Sequence, residues 1–506
     1  MKNPLKVADK YLNSITMYRL LVYGLGLLLA GAVIFCLTGT LPFSAAGIAF
    51  SVVVLLVTCY VANRCLAILW GAASNTESWL ITALILCWIL PPSTSVHGLA
   101  LIALGGLLAM ASKYVVAYRH KHLFNPAAFA ALVLGLSGLL PAIWWVGSPS
   151  LLVLTAIFGV LILRKLRRFQ LFFSFLVASL AVAVLVGTMH SQTVHYIVLT
   201  AFKSGPLVFL GTVMLTEPET TPPRIWQQRM YGALVGALFM SQLRVGSVSA
   251  TPELALILGN VYAYIVSPKY KLRLRFKSKQ QLAPQIYEFS FSSDRAIDFQ
   301  PGQYLQWTLP HSHVDTRGNR RTFSIASPPG EAELHVAIKV FQSGSSFKNA
   351  LLALKPGDSI ITGLLAGNFV LPNDIAQPLV FVAGGIGITP FLSMIKTMIK
   401  TQQHRDVVLF YLVSNQAEYC YNDVWREAAN VGVRVVPVLT SGKPDASWQG
   451  LTGYLTKEML QQEVPAFAKR HYYLSGPNAL VDNYSGLLRR LGIKRQAIVT
   501  DHFSGY

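Results

Sequence analysis

Acidic residues are scarce in the first half of this chain. Of 22 aspartates and glutamates, only Asp9, Glu77, Glu217, Glu219 and Glu253 precede residue 267. Charged residues make up 13% of the whole, about half the roughly 25% usual in a soluble domain. The shortage falls on that first half, which excludes an ordinary soluble domain there; the remainder has ordinary soluble composition. The five cysteines, Cys36, Cys59, Cys65, Cys87 and Cys420, form no Cys-x-x-Cys pair. This excludes a four-cysteine iron–sulfur cluster or zinc ribbon of standard spacing. Small buried thiols account for them, and no metal site is expected. No cleavage-site pattern precedes the first long apolar run, so the N-terminus reads as the start of a membrane protein rather than a secreted one.

The net charge of +20 divides into +11 before residue 267 and +9 after it. In the first half the basic residues sit in short loops between apolar runs, where they orient helices and meet anionic headgroups. No nucleic-acid partner is expected. The runs lie near 17–38, 43–62, 78–90, 98–117, 126–146, 150–163, 170–189, 195–215, 230–243 and 252–266. Alternate connections carry Lys2, Lys6, Lys10 and Arg19, then Arg64, Arg119 with Lys121, the 164–168 cluster, Arg224 with Arg229, and Lys269 with Lys271; the others carry only Arg244. About ten spans with both termini cytoplasmic satisfy the positive-inside rule. The expected location is the inner (cytoplasmic) membrane, with the lipid bilayer as a partner.

Proline breaks several runs. Pro92 and Pro223 lie 131 residues apart, Pro126 and Pro252 126 apart. Two proline-marked features at nearly one offset, with five helices in each half, point to an inverted repeat whose broken helices frame a ligand site. Glu217 and Glu253 read either as interfacial helix caps or as parts of a polar pocket or proton path.

Two motifs carry a family resemblance. Phe124-Asn125-Pro126-Ala127-Ala128-Phe129 and Leu215-Thr216-Glu217-Pro218-Glu219-Thr220-Thr221-Pro222 resemble motifs of the D subunit of the Rnf complex and the B subunit of the sodium-pumping NADH:quinone reductase. That resemblance implies flavin in the membrane domain and electron passage through it, with Asn125, Pro126, Thr216, Glu217, Pro218, Thr220 and Thr221 as site candidates. The Ser-Gly-Ala-Thr-like tetrapeptide whose threonine bears covalent FMN in those subunits is absent, so a membrane FMN or riboflavin would be bound non-covalently.

After Pro268 the pattern alternates. Lys271, Arg273, Arg275, Lys277 and Lys279 interleave with Leu272, Leu274 and Phe276, a strand with one basic face. That face turns either to headgroups or to water. Short strands separated by Gly and Pro continue to about Pro372, as in a small antiparallel barrel; from Leu379 strands alternate with helical patterns, as in a parallel sheet. The expected architecture is therefore multidomain: a polytopic α-helical membrane domain (1–266), a small antiparallel β-barrel (267–374) and an α/β domain with a parallel sheet (375–506).

An isoalloxazine needs a flat surface, a hydrogen-bond partner near N5 and a cation for its phosphates. One short strand, Arg321-Thr322-Phe323-Ser324, supplies these types, with Arg321 and Phe323 on one side and Thr322 and Ser324 on the other. Gly344-Ser345-Ser346-Phe347 opens a helical run whose N–H groups suit a pyrophosphate. Gly384-Gly385-Ile386-Gly387-Ile388-Thr389-Pro390 is a glycine-rich turn between a buried strand and a helix. A second strand with a sharp turn ends Ser475-Gly476-Pro477, and the chain closes on Asp501-His502-Phe503-Ser504-Gly505-Tyr506.

This order resembles the ferredoxin–NADP reductase superfamily over nearly all of 269–506. The resemblance implies FAD between barrel and sheet, with Arg321, Thr322, Phe323 and Ser324 on the flavin and Gly344, Ser345 and Ser346 at the pyrophosphate. Gly384, Gly385, Gly387, Thr389, Pro390, Gly476 and Pro477 would hold NADH or NADPH, and Phe503 or Tyr506 would cover the ring. Ser475 stands where many members have a cysteine beside the nicotinamide. Ser324, Ser475, Phe503 and Tyr506 are thus the candidates nearest the chemistry. The 414–418 stretch, Ser-Asn-Gln-Ala-Glu, offers no Arg or Lys for a 2′-phosphate and Glu418 would repel one, which favours NADH; Arg434 is the nearest alternative cation.

The reading is a membrane-bound flavin oxidoreductase that passes electrons from NADH through FAD to a membrane flavin, a quinone or an extracytoplasmic flavoprotein. Two alternatives stand beside it. A haem-containing ferric reductase or NADPH oxidase-like protein needs stacked histidine pairs, whereas His97, His120, His122, His190 and His195 lie near segment ends. A redox-sensing transporter is compatible with the inverted repeat.

Overall fold

A computed structural model describes residues 12, 15–70, 76–118, 121–203, 205–246, 248–267, 272–312, 314–315, 318–341 and 344–503. Lys2, Lys6, Lys10, Arg119, His120, Lys269, Lys271 and Tyr506 lie outside the described residues. The chain divides into two compact units, 1–271 and 272–506.

The first unit is helical. Several of its helices start where a short polar side chain caps the free N–H groups of the first turn. The Thr16 hydroxyl accepts from the Arg19 N–H at 3.2 Å, Ser44 from Gly47 at 3.0 Å and Ser95 from Gly98 at 3.1 Å. These caps open helices Met17–Leu37, Ala45–Leu69 and Val96–Val115. Helices Pro126–Leu136 and Pro252–Val266 both begin with proline, capped by Asn125 and Thr251. Each follows a two-stranded hairpin: β1 (Ala117–Tyr118) with β2 (Lys121–His122), and β3 (Arg244–Val245) with β4 (Val248–Ser249).

Packing repeats in the same way. Helix 45–69 lies on 96–115 as Phe169–Met189 lies on Ile225–Met240, and 17–37 meets Leu152–Leu166 as 126–136 meets 252–266. In the 169–189 pair the contact is backbone to backbone. A Cβ on Gly232 would stand 2.6 Å from the Leu171 carbonyl oxygen, and one on Gly236 2.4 Å from that of Phe175. Only hydrogen side chains permit that approach.

The number of spans differs from the sequence expectation. Among the described residues five helices are long and apolar enough to cross a membrane, Met17–Leu37, Ala45–Leu69, Val96–Val115, Pro149–Leu166 and Phe169–Met189, or six with Val194–Lys203 and Leu207–Met214 taken as one span bent by 69°, rather than ten. The remaining apolar runs are helical but cut short. The 126–146 run stops being helical at Leu136, and Gly138 (φ +71°) and Trp144 (φ +45°) turn left-handed beyond it. Its 11 residues reach about 16 Å at 1.5 Å per residue, well short of the roughly 30 Å hydrocarbon core.

The second unit begins with a six-stranded antiparallel sheet, β5 (Leu272–Ala283), β6 (Ile286–Ser293), β7 (Tyr304–Thr308), β8 (Arg320–Ser324), β9 (Glu333–Lys339) and β10 (Ser359–Ala366). Their order is β8-β7-β10-β5-β6-β9. It was expected to close as a barrel. Instead, no ladder joins the two end strands among the described residues; they meet through the Ala326 N–H to the His335 carbonyl at 2.8 Å. The stretch 325–332 turns away after one backbone bond and a second from the His335 N–H to the Ser327 hydroxyl at 3.1 Å, so closure stops there.

A parallel sheet follows, β11 (Leu379–Gly384), β12 (Val407–Val413), β13 (Val433–Leu439), β14 (Leu451–Thr452), β15 (His471–Pro477) and β16 (Ile498–Phe503), in the order β14-β13-β12-β11-β15-β16. Side-chain alternation along β11 feeds two cores. Leu379, Phe381 and Ala383 pack with helices Thr389–Thr401 and Asn422–Ala428, whereas Val380 and Val382 pack with helices Lys457–Glu463 and Asn478–Arg490. The connection reverses direction between β11 and β15. In open α/β sheets ligands bind outside the carboxyl ends of the strands at that switch point.

Candidate functional site

At the switch point β11 ends on Gly384 and the chain makes one turn of 3₁₀ helix, Gly385–Ile388, before helix 389–401. Gly385 takes φ +53° and Gly476, on β15, φ +149°. Gly387 is wedged against β15: a Cβ there would lie 2.5 Å from the Ser475 carbonyl oxygen and 2.7 Å from Gly476 Cα. The Thr389 hydroxyl donates to the Ile386 carbonyl at 3.1 Å, and Pro390 sits in the first helical turn, where its missing N–H costs nothing. The spacing of glycines is thus explained by two strand ends meeting backbone to backbone.

Ser475 lies in that contact. It is fully buried, and its hydroxyl has no hydrogen-bond partner among the described residues. A buried hydroxyl left unpaired costs about 1–3 kcal/mol, which a group bonding to it there would recover. Phe503, in register with Pro477, closes the described chain half-buried beside this edge, and His502 Nδ1 lies 3.1 Å from Asn478 Oδ1. Burial pushes the neighbouring Tyr473 phenol up to about 12; its hydroxyl donates to the Val370 carbonyl at 2.9 Å.

In the antiparallel half, Arg321 is buried in β8 opposite Trp307. Its guanidinium donates to the Gly318 and Arg320 carbonyls at 3.2 and 2.6 Å and lies 5.3 Å from the Phe347 ring centroid. Phe323 packs on the same Phe347 ring, centroids 5.9 Å apart, so Arg321 and Phe323 share a side. Thr322 is exposed and Ser324 buried. The Ser345 hydroxyl caps helix Ser346–Leu352 by accepting from the Lys348 N–H at 3.3 Å, with Gly344 just before it.

Sequence reading missed Asp315. Its carboxylate accepts from the Ser346 N–H at 2.9 Å, lies 3.9 Å from the Arg321 guanidinium, and its own N–H donates to the Ser346 hydroxyl at 2.9 Å. His311 Nε2 is 2.9 Å from that hydroxyl. A carboxylate thus stands where the resemblance puts a diphosphate, and the surrounding donors suit an anion. The residues fit an FAD.

In the helical unit the two proline motifs come together. Asn125 Nδ2 donates to Glu217 Oε2 at 2.8 Å, as does the Thr220 hydroxyl at 3.1 Å. Thr216 bonds back to the Thr212 carbonyl at 2.7 Å. Thr221 donates to the Glu217 carbonyl, and half-buried Pro218 follows Glu217. Three further contributors were not placed at this site by the sequence reading. Arg168 donates to the Thr216 carbonyl at 2.7 Å and the Thr221 hydroxyl at 2.8 Å. Asn260 Oδ1 accepts from the Asn125 N–H at 2.8 Å while its amide donates to the Tyr231 hydroxyl at 2.9 Å. His122 Nε2 lies 3.8 Å from Glu217. Glu253 is separate from this cluster; it accepts from the Trp144 indole N–H at 2.8 Å.

Comparison with known proteins accords with the second unit's geometry. The model of the oxidoreductase NAD-binding domain matches residues 381–485. The reductase component of phenol 2-monooxygenase from Pseudomonas sp. (strain CF600) is 31% identical over 206 residues, 40% of this chain and 56% of that protein. The electron transfer component of xylene/toluene monooxygenase from Pseudomonas putida is 29% identical over 278 residues, 53% of this chain and 76% of that one. A flavohemoprotein of Rhodopirellula baltica is 25% identical over 218 residues, 40% and 53% of the two chains. The chain therefore spans about half the length of the first and third of these relatives. A solved ferredoxin NADP+ reductase from Neisseria gonorrhoeae aligns with TM-score 0.40 and 20% identity over 47% of this chain and 99% of that one.

The second unit is a ferredoxin–NADP reductase-like module, an oxidoreductase by class. Within it, residues 381–485 are its NAD-binding domain.

Proposed function

We propose that the chain is a membrane-bound, NAD(P)H-dependent flavin reductase, working with NADH, that delivers electrons into or across the membrane. The observation that carries this reading is the switch point, where Gly387 lets β15 close on the β11 turn and leaves the buried Ser475 hydroxyl without a partner. Relatives named as reductase and electron transfer components support it. The domains are taken as 1–266 for the membrane part, 267–374 for FAD and 375–506 for NAD(P)H.

FAD, when bound, accepts a hydride and gives up electrons one at a time, which couples a two-electron donor to a one-electron path. The protein's own residues do the rest. Arg321 places positive charge near a diphosphate, with Asp315 yielding the Ser346 N–H. Phe323 and Phe347 form an apolar wall, and Ser324 presents a hydroxyl on the opposite side of β8. Gly384, Gly385, Gly387, Gly476 and Pro477 keep the nucleotide edge free of side chains, Thr389 and Pro390 start the helix behind it, and Ser475 offers a hydrogen bond at the nicotinamide. Phe503 or Tyr506 would cover the ring.

The Asn125–Glu217–Thr220 cluster with Thr216, Pro218 and Thr221 is where a non-covalent FMN or riboflavin, or a quinone, would receive the electrons; an extracytoplasmic flavoprotein is the further acceptor considered. Its resemblance to the Rnf D and quinone-reductase B subunits supports this placement.

The test is an anaerobic absorption spectrum of the detergent-purified chain before and after NADH, with flavin counted per chain. More than one flavin, bleaching without a Soret band, is the expected result. A Soret band that shifts on reduction would replace this reading by a haem reductase.

A further inference from the structure

The cation that the 414–418 stretch lacks comes from another strand. β11 and β12 run parallel with Gly384 opposite Leu412, so the turns after both strands open on one edge of the sheet. There the Gln416–Glu418 turn presents a carboxylate held at two points. Oε2 accepts from the Ser414 hydroxyl at 3.1 Å. Oε1 accepts from the ammonium of Lys339, the last residue of β9, at 2.6 Å. Both side chains are largely covered, 12% exposed for Glu418 and 16% for Lys339. The backbone carbonyl of Lys339 accepts from Lys348 Nζ at 2.9 Å. Arg434 is not part of this group: it pairs with Glu463 at 2.7 Å, near the start of β13 and so at the opposite end of the strands.

We infer that Glu418 and Lys339 together set the choice between NADH and NADPH. The inference rests on the reductase reading of this unit. Glu418 lies at the end of the strand next to the glycine turn, where an acidic side chain accepts hydrogen bonds from the adenosine ribose. A 2′-phosphate brought to the same place meets the carboxylate, and the cation beside it, Lys339, is already paired with that carboxylate. Lys339 aims the carboxylate. With the carboxylate gone, Lys339 becomes a cation facing the 2′-position. The pair therefore acts as a selector in which one member rejects the phosphate and the other would otherwise receive it.

The experiment follows anaerobic flavin reduction in the full-length, flavin-loaded chain in detergent, with NADH and NADPH in parallel. Wild type should prefer NADH. Glu418→Gln should lower the NADH:NADPH ratio of kcat/KM by at least about tenfold, about 1.4 kcal/mol, mainly through a smaller KM for NADPH. Adding Lys339→Met should abolish the NADPH gain. Glu418→Asp, which keeps the charge, should keep the preference. An NADPH-preferring wild type overturns the inference. So does an unchanged ratio in Glu418→Gln with flavin content intact, or an NADPH gain that survives Lys339→Met. If neither coenzyme bleaches a flavin in wild type, the reductase reading itself fails and takes the inference with it.

Discussion

The candidate sites of the two units treat their buried polar groups in opposite ways. In the helical unit the motif residues are satisfied by one another: Asn125 on Glu217, Asn260 on Asn125 and Tyr231, Arg168 on Thr216 and Thr221. In the second unit the residue at the switch point, Ser475, is as deeply buried and its hydroxyl has no partner among the described residues. The difference follows from what each broken backbone faces. A proline-broken helix among apolar helices has no water to complete its bonds, so protein must do it. A strand end at the edge of a parallel sheet leaves the completion to a ligand. The satisfied cluster therefore joins its helices around any ligand it takes, whereas the Ser475 hydroxyl is left open to one.

That comparison can be broken at four points. The largest effect is expected at Gly387→Val, which drives a side chain into the Ser475–Gly476 backbone. Displacing the edge by about 1 Å should slow NADH-dependent flavin bleaching by about 100-fold or more. A variant that bleaches at the wild-type rate would remove the backbone contact from the site.

Next is Asn125→Ala in the helical unit. It strips Glu217 of a donor and should cost about 2–3 kcal/mol, read as a lower melting temperature in detergent. An unchanged transition would mean that the cluster is hydrated and not a joint.

Ser475→Ala should separate stability from function. Removing an unpaired hydroxyl should raise the stability of the ligand-free chain by about 1 kcal/mol, while flavin bleaching slows by about tenfold. Loss of both, or of neither, would show that Ser475 is an ordinary core residue.

The smallest effect concerns pH. The Tyr473 phenol sits at about 12 when folded against 10.0 for the ordinary group, because burial disfavours its charged form. Its folded value is raised, so its contribution is complete below about pH 10 and is lost as pH rises from there towards about 12. Tyr473→Phe should flatten that alkaline decline in melting temperature, at a cost of about 1 kcal/mol near neutrality for the lost bond to Val370. An identical pH profile would assign the decline to other tyrosines; Tyr472 is likewise raised to about 12 by burial.

Much of this was legible in residue order. Alternation from Leu272 onward marked strands, and the Gly-Gly-x-Gly-x-Thr-Pro run marked a strand-to-helix turn. Asn125-Pro126 and Thr251-Pro252 marked two helix starts, which the structure places after matching hairpins. Other features depended on lengths that local pattern does not set. Gly138 and Trp144 end a helix within an apolar run of spanning length, so counting runs overstated the spans. The antiparallel sheet has the expected strands but stops short of a closing ladder at 325–332. Lys339 lies 79 residues from Glu418 in sequence, and Asn260 lies 135 from Asn125; no local pattern announces such pairs.

Composition and order alone therefore determined that an apolar helical part precedes an α/β nucleotide-binding part, because hydropathy and glycine spacing are properties of contiguous residues. Which groups are paired was decided only in three dimensions. Asp315 on the Ser346 N–H, Lys339 on Glu418 and the unpartnered Ser475 hydroxyl all result from strands and helices that meet after long separations, and the energy of a buried polar group depends on the neighbour it finds there.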